Sequence, residues 1–343
     1  MITYTLKVVE FRKETEDTIT LCFKQPALRK VKYKAGQFLT LIFRINNRRY
    51  IRPYSFSSTP AVDPLLEVTI KRIPNGIVSN YIHDFVQVGD SIEVMEPMGD
   101  FIYKSQQEID QVFLWGVGSG ITPLISLTKQ LLMTETSAQV FLIYGNRTHE
   151  STIFLSLINK LLHEYPDRFR AWHFYTQLSV SEEIPNLVQG RITKEKVLSI
   201  LASVGVCEST HFICGPAGFK ESVKESIFSL NIPAERILSE DFELVKNPKD
   251  FEDIQSQKIE LFFENKNHTL EVIKGKSVLE SALDAGIELP YSCQTGNCST
   301  CKGVLKEGNL KVIGLEKERD DLLTNEYLLC CSYPITGNVH IEV

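Results

Sequence analysis

Short apolar runs, several of them alternating with polar positions, fill the first third of the chain. The clearest runs are Phe38–Phe43, Leu65–Lys71 and Ser91–Met95, and turn-forming residues lie between them. Because successive strand residues face opposite sides of a sheet, this pattern predicts short strands. Residues 1–105 are therefore expected to form an antiparallel β-barrel or sandwich, with one helix over Gly76–Phe85.

After Glu108 the pattern changes to apolar strand-like runs, each followed by a helix-like stretch. The strand-like runs are Val112–Trp115, Val140–Tyr144 and His211–Cys214, and the helix-like stretches are Leu124–Leu132, Thr152–Leu162 and Ala217–Leu230. Strands that alternate with helices are typical of a parallel, doubly wound sheet. We therefore predict an α/β domain over residues 106–242.

A polar and charged segment, residues 243–257, has one proline and no apolar period, which is typical of a linker. Beyond it, Lys258–Phe263 and His268–Val272 are predicted strands and Val278–Ala285 is a predicted helix. Residues 258–343 are therefore expected to form a third, small α+β domain.

The composition is that of a globular protein, with 43% of the 343 residues hydrophobic and 23% charged. The formal net charge is −6 and no long basic run occurs, which argues against nucleic-acid binding. The N-terminus alternates like a strand and lacks the layout of a signal peptide, and no apolar run reaches the ~18 residues of a membrane span. We therefore expect a cytoplasmic protein without membrane insertion.

Three of the eight cysteines, Cys293, Cys298 and Cys301, lie within nine residues. Clustered cysteines in a cytoplasmic protein indicate metal binding or redox chemistry, because structural disulfides are rare there. The C-x4-C-x2-C spacing is that of a plant-type [2Fe-2S] cluster, which needs a distant fourth thiolate. Either Cys330 or Cys331 could supply it, and spacing alone does not choose between them. Structural zinc is the alternative, but such sites usually pair two C-x2-C knuckles.

The segment from residue 258 onward resembles plant-type ferredoxin domains, which have the β-grasp fold. Those domains carry a tyrosine, two hydrophobic residues and a small residue before the last cysteine ligand. This motif aligns with Tyr327-Leu-Leu-Cys-Cys331. The resemblance therefore implies that Cys331 is the fourth ligand and that Cys330 is its small buried neighbour. Ser332 stands where the relatives often have glutamine.

The sequence Arg52-Pro-Tyr54-Ser55-Phe-Ser-Ser58 offers a cation, an aromatic ring and hydroxyl groups at the end of a predicted strand. A flavin dinucleotide needs these for its pyrophosphate, its ring and its reactive nitrogen. Surface arginines and a core tyrosine would explain the same residues equally well on their own. The sequence resembles, however, the Arg-x-Tyr-Ser-x-x-Ser motif of the ferredoxin–NADP reductase superfamily.

This resemblance implies that Arg52 binds flavin phosphate, Tyr54 stacks on the isoalloxazine and Ser55 bonds near N5. A second sequence, Gly76-Ile-Val-Ser79, is similar to the Gly-x-x-Ser helix start of that family, and helix N-termini favour phosphate. The implied flavin is FAD, with FMN as the alternative. Tyr54 and Ser55 are the implied catalytic residues here, and the other implied flavin-site residues are Ser58, Lys71, Gly76, Val78 and Ser79.

The run Val112–Pro123 predicts a strand, a glycine turn and a helix, and its glycines would let the backbone approach a pyrophosphate. It lacks the usual G-x-G-x-x-G fingerprint but resembles the G-x-G-x-x-P loop of the same superfamily. Cys214-Gly-Pro resembles that family's Cys-Gly-Pro element, whose cysteine lies beside nicotinamide and flavin; a buried core cysteine is the alternative. The implied nicotinamide-site residues are Gly118, Gly120, Thr122, Pro123, Gly215 and Pro216, with Cys214 as a catalytic residue.

The residues after the second strand of this domain bear on the choice of nicotinamide. Arg147 and Thr148 stand where an acidic residue would bind ribose hydroxyls and reject a 2′-phosphate. They favour NADPH, and Arg191 would add charge, whereas Glu150 keeps NADH possible. The domain ends in Ser-Glu-Asp-Phe242, which resembles the acidic-x-aromatic ending of these reductases and implies that Phe242 covers one flavin face. A core aromatic residue before a linker is the alternative.

The order of FAD barrel, nucleotide domain and C-terminal ferredoxin domain resembles the reductase components of multicomponent oxygenases, of the phenylacetyl-CoA epoxidase and 3-ketosteroid hydroxylase types. The resemblance covers essentially the whole chain. It implies electron transfer from NADPH through FAD and [2Fe-2S] to an oxygenase or hydroxylase partner, in aromatic or related catabolism. The linker would let the third domain move between flavin and acceptor. A reductase for a desaturase or another acceptor, or a non-catalytic redox sensor, is the alternative.

Overall fold

The structure, a computed structural model, describes residues 2–104, 111–134, 137–177, 186–206, 208–244, 246–315 and 319–343. The chain divides into two compact units. The first contains Met1–Phe43 and Pro53–Glu240, and the second contains Arg44–Arg52 and Asp241–Val343. Within these described ranges, no helix combines the length and the apolar character that a membrane crossing requires. The predicted boundary between residues 105 and 106 lies outside the described residues.

The N-terminal third of the chain is built on a six-stranded sheet in the order β4-β3-β6-β1-β2-β5. Its elements are β1 (Thr3–Thr15), β2 (Thr18–Phe23), β3 (Phe38–Ile45), β4 (Arg48–Ser55), β5 (Leu66–Lys71), α1 (Ile77–Phe85) and β6 (Ser91–Met95). In β6, Ile92 and Val94 are buried while Ser91 and Glu93 are exposed, as the alternation predicts. A bridge between Phe56 and Val68 brings the β4 end of the sheet to β5. The two edges therefore meet, and the predicted antiparallel barrel is confirmed.

The rest of the first unit is a six-stranded parallel sheet in the order β10-β9-β8-β7-β11-β12. Its strands are β7 (Gln111–Val117), β8 (Gln139–Asn146), β9 (Phe169–Tyr175), β10 (Leu187–Gln189), β11 (Ser209–Cys214) and β12 (Ile237–Glu240). Its helices are α2 (Ile121–Met133), α3 (Leu155–Glu164), α4 (Lys194–Val204) and α5 (Ala217–Phe228). The order reverses between β7 and β11, and ligands of open parallel sheets bind outside the carboxyl ends of the strands at such a point. The predicted doubly wound α/β domain is confirmed.

Apolar clusters cover both faces of this parallel sheet. Leu114 belongs to one cluster with α2, and the next residue, Trp115, belongs to the other with α4. A strand that is buried on both faces has a continuous apolar sequence, which explains the uninterrupted apolar runs of these strands. Helix α3 begins at Leu155, later than predicted, because Phe154 adopts a left-handed φ of 60°.

The second unit contains a mixed five-stranded sheet in the order β14-β13-β19-β15-β17 and a two-stranded ribbon of β16 and β18. Its elements are β13 (Gln257–Phe263), β14 (Lys266–Val272), α6 (Val278–Asp284), β15 (Lys302–Glu307), β16 (Leu310–Val312), β17 (Glu326–Leu328), β18 (Ser332–Pro334) and β19 (His340–Glu342). Ser277 and Glu280 form a capping box that fixes the start of α6. The cysteine loop lies between α6 and β15, in the predicted α+β domain.

Part of the segment predicted as a linker, residues 243–257, packs within the second unit. Phe251 and Ile254 are buried in one cluster with Ile313 and Tyr333. The Phe251 and Tyr333 rings meet edge to face with their centroids 5.0 Å apart. Two apolar residues without a period gave no hint of this packing in the sequence.

Candidate cofactor sites

The predicted flavin residues lie at the carboxyl end of β4. The strand continues through Pro53 to Ser55, so Arg52 and Tyr54 share one face of it. Ser55 is buried, and its hydroxyl donates to Glu240 Oε2 at 3.2 Å. Glu240 is the last residue of β12. The contact joins the flavin motif to the nucleotide sheet, and the sequence could not predict it because the two residues are 185 positions apart.

Two other residues assigned to the flavin site have protein partners. Ser58 is fully buried, its Oγ lies 2.7 Å from the Tyr33 hydroxyl, and it accepts a bond from the Glu67 amide at 3.0 Å. Lys71 Nζ lies 3.4 Å from the Asp17 carboxylate. These contacts give Ser58 a structural role in the barrel, and its part in binding a cofactor stays a prediction.

Helix α1 begins after Gly76, which makes no side-chain cap. The Ser79 hydroxyl accepts a bond from the Ile73 amide at 3.1 Å, and a Cβ on Gly76 would lie 2.7 Å from that hydroxyl. The glycine therefore makes room for the serine, which explains their spacing. Val78, between them, is buried. The amides and dipole at this helix start fit a phosphate of a dinucleotide.

The glycine turn after β7 lies against the end of β11. A Cβ on Gly120 would lie 2.2 Å from the Cys214 carbonyl oxygen, so only glycine allows this approach. Gly118 has a φ of 55°, and a Cβ there would meet no atom within 4 Å. The Tyr144 hydroxyl holds the turn by donating to the Gly118 carbonyl at 2.9 Å. Open space above a fixed glycine turn fits the close approach of a pyrophosphate.

The same turn leads directly into helix α2. Thr122 donates from its hydroxyl to the Ser119 carbonyl at 3.0 Å, and Pro123 lies in the first helical turn. This bond closes the turn on the side of the helix. Thr122 and Pro123 therefore shape the predicted nucleotide loop, and their direct contact with a ligand stays a prediction.

The two predicted nicotinamide motifs are neighbours in the sheet. Cys214 pairs in register with Gly116, so Cys214 and the glycine turn meet at the carboxyl edge. Cys214 is 1% exposed. A Cβ on Gly215 would lie 2.8 Å from the Phe219 ring, and Pro216 precedes the first residue of α5. The structure thus brings together the residues that the sequence assigned to one site.

The residues after β8 form a tight turn. The Thr148 amide donates to Ser151 Oγ at 3.1 Å, and Thr152 Oγ1 donates to the Thr148 carbonyl at 3.0 Å. The Arg147 side chain is exposed beside this turn. Glu150 is also exposed, three residues further on. The first charged group after β8 is therefore a cation, as a 2′-phosphate would require.

Polar groups near the carboxyl ends of β8 and β9 were not predicted from the sequence. Asn146 Nδ2 and both ring nitrogens of His173 are buried without a hydrogen-bond partner among the described residues. Burial lowers the pKa of His173 to about 4, so its ring is neutral. Buried polar atoms without partners are rare in folded proteins, and a bound nucleotide at this edge would supply partners.

The cysteine loop buries its three thiols and pairs two of them. The Cys293–Cys298 hydrogen bond raises the pKa of Cys293 and lowers the pKa of Cys298 to about 6. The Thr295 amide points at Cys293 Sγ from 3.5 Å. A hydrogen bond from Cys330, followed by burial, raises the pKa of Cys301 well above its usual range. The thiols of Cys293, Cys298, Cys301 and Cys330 therefore lie close enough to perturb one another's pKa values.

A two-iron cluster takes four cysteine thiolates, and the three buried loop cysteines together with the buried Cys330 and Cys331 can supply them. A structural zinc site is the alternative that the sequence left open.

Cys330 and Cys331 are both buried, with their sulfurs 3.4 Å apart. The bond with Cys301 lowers the pKa of Cys330, but the bond with Cys331 and burial outweigh it and raise that pKa. Cys331 Sγ would lie 3.0 Å from a Cβ on Gly296. Cys331 as the fourth ligand stays a prediction, and its sulfur is the one that lies against the middle of the cysteine loop.

Three family models match the chain: Oxidoreductase FAD-binding domain over residues 5–103, Oxidoreductase NAD-binding domain over residues 114–225, and 2Fe-2S iron-sulfur cluster binding domain over residues 261–335. These matches confirm the predicted cofactors FAD, a nicotinamide dinucleotide and [2Fe-2S]. The matched ranges include the flavin motif, the glycine turn and the cysteine loop.

The chain is similar to the 3-ketosteroid-9-alpha-monooxygenase ferredoxin reductase component of Rhodococcus rhodochrous, with 32% identity over 96% of this chain and 94% of that protein. It is also similar to a component of the 1,2-phenylacetyl-CoA epoxidase of Escherichia coli, with 30% identity over 99% of this chain and 97% of that protein. The solved structure of phthalate dioxygenase reductase covers 99% of this chain and 98% of its own, with 21% identity and a TM-score of 0.67. That structure shares the three-part fold.

Proposed function

Because the chain belongs to the family of ferredoxin reductase components of oxygenases, we propose that it oxidises NADPH and passes electrons one at a time to an oxygenase partner. It is an NAD(P)H-dependent electron-transfer enzyme with FAD and [2Fe-2S] as its cofactors. The observation that carries the proposal is the gathering of buried thiols at the cysteine loop, where the sulfur of the distant Cys331 lies against Gly296, in a chain that also carries a flavin motif and a nucleotide turn.

The protein supplies positions for this chemistry, since the cofactors carry the electrons. Bound FAD would accept a hydride from the nicotinamide and release single electrons. Tyr54 offers its ring to one flavin face. Ser55 offers a hydroxyl whose direction is set by the buried Glu240 carboxylate. The start of α1, after Gly76, offers amides to the flavin phosphates.

The nucleotide turn orients the second cofactor. Gly118 leaves room for the pyrophosphate, while Gly120 keeps the turn against Cys214. Cys214 thus stands at the sheet edge where the nicotinamide would meet the flavin. Arg147 would bind the 2′-phosphate of NADPH, because an exposed guanidinium pairs well with phosphate oxygens.

Cys293, Cys298, Cys301 and Cys331 would hold the cluster. Cys331 is proposed as the fourth ligand because its sulfur lies 3.0 Å from the position of a Cβ on Gly296, in the middle of the cysteine loop. Cluster binding would displace the thiol protons, since thiolates are the ligands. The loop amides, such as that of Thr295, would then donate to sulfur and stabilise the negative charge.

An oxygenase is the partner that the family relationship supports. Two relatives of the chain are named for 3-ketosteroid monooxygenase and phenylacetyl-CoA epoxidase systems. For the oxygenase partner of this chain, we propose an aromatic or related compound as substrate. A desaturase or another acceptor is the alternative partner. A non-catalytic redox sensor would not sustain turnover, and the experiment below distinguishes it from an enzyme.

The test is an anaerobic titration of the purified protein with NADPH, followed by visible absorbance. Bleaching of both flavin and iron–sulfur bands, with uptake of about three electrons per chain, is expected because a flavin holds two and a cluster one. Flavin bleaching alone would contradict the proposed route to the cluster. Repeated reduction of an artificial acceptor by NADPH, with NADH as the matched comparison, would distinguish an enzyme from a sensor.

A further inference from the structure

Arg319 holds the cysteine loop from a different part of the chain. Its guanidinium donates to the Gly296 carbonyl at 2.6 Å and to Ser299 Oγ at 2.8 Å. Gly296 lies between Cys293 and Cys298, and Ser299 directly follows Cys298. One side chain therefore ties together two parts of the loop that carries three of the four cluster ligands.

Asp321 fixes the orientation of this guanidinium. Its oxygens accept from Arg319 Nε at 2.7 Å and from Nη2 at 2.8 Å, a two-pronged geometry that a lysine cannot reproduce. Asp321 also accepts a bond from Ser299 Oγ at 2.9 Å. Arg319, Asp321 and Ser299 thus form a closed set of hydrogen bonds, which we name the Arg319 clasp.

The loop under the clasp has an unusual backbone that needs support. Gln294 and Gly296 have left-handed φ angles of 60° and 79°. A Cβ on Gly296 would lie 2.2 Å from Leu315 Cδ2, so the loop is also packed closely. Because Arg319 binds the Gly296 carbonyl, the clasp fixes this peptide and with it the direction of the neighbouring amides. Those amides are the groups that would donate to cluster sulfurs.

The clasp also places a positive charge near the cluster ligands. The Arg319 side chain is 20% exposed and the Asp321 side chain is 47% exposed. The cation is therefore less screened by water than the carboxylate that partly neutralises it. A [2Fe-2S] cluster gains one negative charge on reduction, and net positive charge around a cluster raises its reduction potential.

From these contacts, and resting on the proposed function, we propose that Arg319 is a positioning residue that makes the cluster easier to reduce. It does so by fixing the loop peptide at Gly296 and by holding its charge beside Cys293 and Cys298. Arg319 thereby favours electron transfer from the flavin to the cluster over the reverse transfer.

The test compares Arg319→Gln, Arg319→Lys and Asp321→Asn with the wild-type holoenzyme in an anaerobic spectroelectrochemical titration with mediators. At the potential where half of the wild-type cluster is reduced, Arg319→Gln should lower the reduced-to-oxidised ratio about three- to tenfold. A tenfold change corresponds to about 59 mV for one electron. Arg319→Lys keeps the charge and should shift the ratio less. The flavin midpoint serves as an internal reference and should stay unchanged.

An unchanged ratio in Arg319→Gln, within about twofold, would overturn the proposal, as would equal shifts in Arg319→Gln and Arg319→Lys. If iron and sulfide analysis shows that Arg319→Gln does not retain the cluster, the Asp321→Asn variant tests the proposal instead. Loss of that carboxylate should raise the reduced-to-oxidised ratio at least about twofold, and an unchanged or lower ratio would contradict a role for charge. Mediators set the potential without NADPH, so failure of this inference is distinct from failure of the NADPH route.

Discussion

The Ser55 hydroxyl donates to the Glu240 carboxylate at 3.2 Å, between two side chains that are both buried. Ser55 ends a strand of the barrel, and Glu240 ends the last strand of the parallel sheet. Buried polar groups are costly unless they are paired, so each residue stabilises the other. The direction of the hydroxyl proposed to face the flavin therefore depends on the nucleotide domain.

Replacing Glu240 with alanine should slow flavin reduction by NADPH about tenfold. The Ser55 hydroxyl would lose its acceptor, and one such bond contributes about 1–1.5 kcal/mol. Glu240→Gln keeps an acceptor oxygen and is the matched control, expected within about threefold of wild type. Stopped-flow absorbance on samples of equal flavin content measures both. Equal rates for Glu240→Ala and wild type would show that this carboxylate does not orient Ser55.

Replacing Gly118 or Gly120 of the nucleotide turn with alanine should impair different properties of the protein. Gly120→Ala forces a Cβ to within 2.2 Å of the Cys214 carbonyl, so the backbone must shift. We expect a loss of about 1–3 kcal/mol in the free energy of unfolding. Gly118→Ala has free space and costs only the left-handed φ, about 1–2 kcal/mol. It should instead raise the KM for NADPH, since its methyl group would occupy the space left for the pyrophosphate.

Urea unfolding and steady-state kinetics on both variants separate these effects. An intact KM in Gly118→Ala would contradict the proposed position of the pyrophosphate. A Gly120→Ala variant as stable as wild type would show that the turn can move away from Cys214.

Arg147→Ala should reduce kcat/KM for NADPH about ten- to a hundredfold while leaving the value for NADH nearly unchanged. A hydrogen bond to a charged group contributes about 1.5–3 kcal/mol, and only NADPH carries the 2′-phosphate that would receive it. Lys160→Ala removes an exposed cation of α3, next in sequence to this turn, and is the control for general charge effects. Parallel losses with both nucleotides would mean that Arg147 does not read the 2′-phosphate.

Acid should destabilise the nucleotide domain through His211. Its Nδ1 accepts from the Trp115 indole at 3.1 Å and its Nε2 lies 2.9 Å from Ser209 Oγ, an arrangement that suits the neutral ring. Burial lowers the pKa of His211 to about 3. In the unfolded chain a histidine has a pKa of about 6.5, so the unfolded state takes up a proton first as the pH falls. The stability is therefore complete above pH ~6.5 and is lost as the pH falls toward about 3.

The free energy of unfolding should fall by up to about 1.4 kcal/mol per pH unit below pH ~6.5 for this group. Both tryptophans of the chain, Trp115 and Trp172, lie in the parallel sheet, so their fluorescence during urea unfolding reports on this domain. His211→Gln should flatten the pH dependence, while His163→Gln, at an exposed histidine, should not. The same slope in His211→Gln and wild type would exclude His211 as the source.

Elements with a clear period were predicted well, and elements that depend on distant contacts were not. The alternation around Val94 and the apolar run through Trp115 report burial on one or two faces of a sheet, which is a local property of the sequence. The buried pair of Phe251 and Ile254 has no period, so its packing could not be foreseen. The start of α3 depended on one left-handed residue, Phe154, which is not a glycine.

The site shows the same division. Motif spacing placed Gly118, Gly120 and Cys214 in one site, and the structure brings them together because β7 and β11 are adjacent. The roles of Glu240 and Arg319 depend on partners far away in sequence, 185 and 23 positions from the residues that they contact. Single charged residues in a chain that is 23% charged carry no pattern that could have selected them.

The choice between Cys330 and Cys331 is the last prediction. Cys331→Ala should abolish the [2Fe-2S] absorbance and the stoichiometric iron and sulfide, because it removes the sulfur that lies against the cysteine loop at Gly296. Cys330→Ala should retain the cluster, with a cost in stability of about 1 kcal/mol for the lost buried sulfur. The flavin content of both proteins is the control for folding of the first unit.

The metal-free thiols give the opposite indication, since a hydrogen bond from Cys330 raises the pKa of Cys301. Retention of the cluster in Cys331→Ala and its loss in Cys330→Ala would therefore make Cys330 the ligand. In that case the motif would be offset by one residue, in keeping with Ser332, which stands where the relatives often have glutamine. The two substitutions thus decide whether the motif or the contact with Cys301 identifies the fourth ligand.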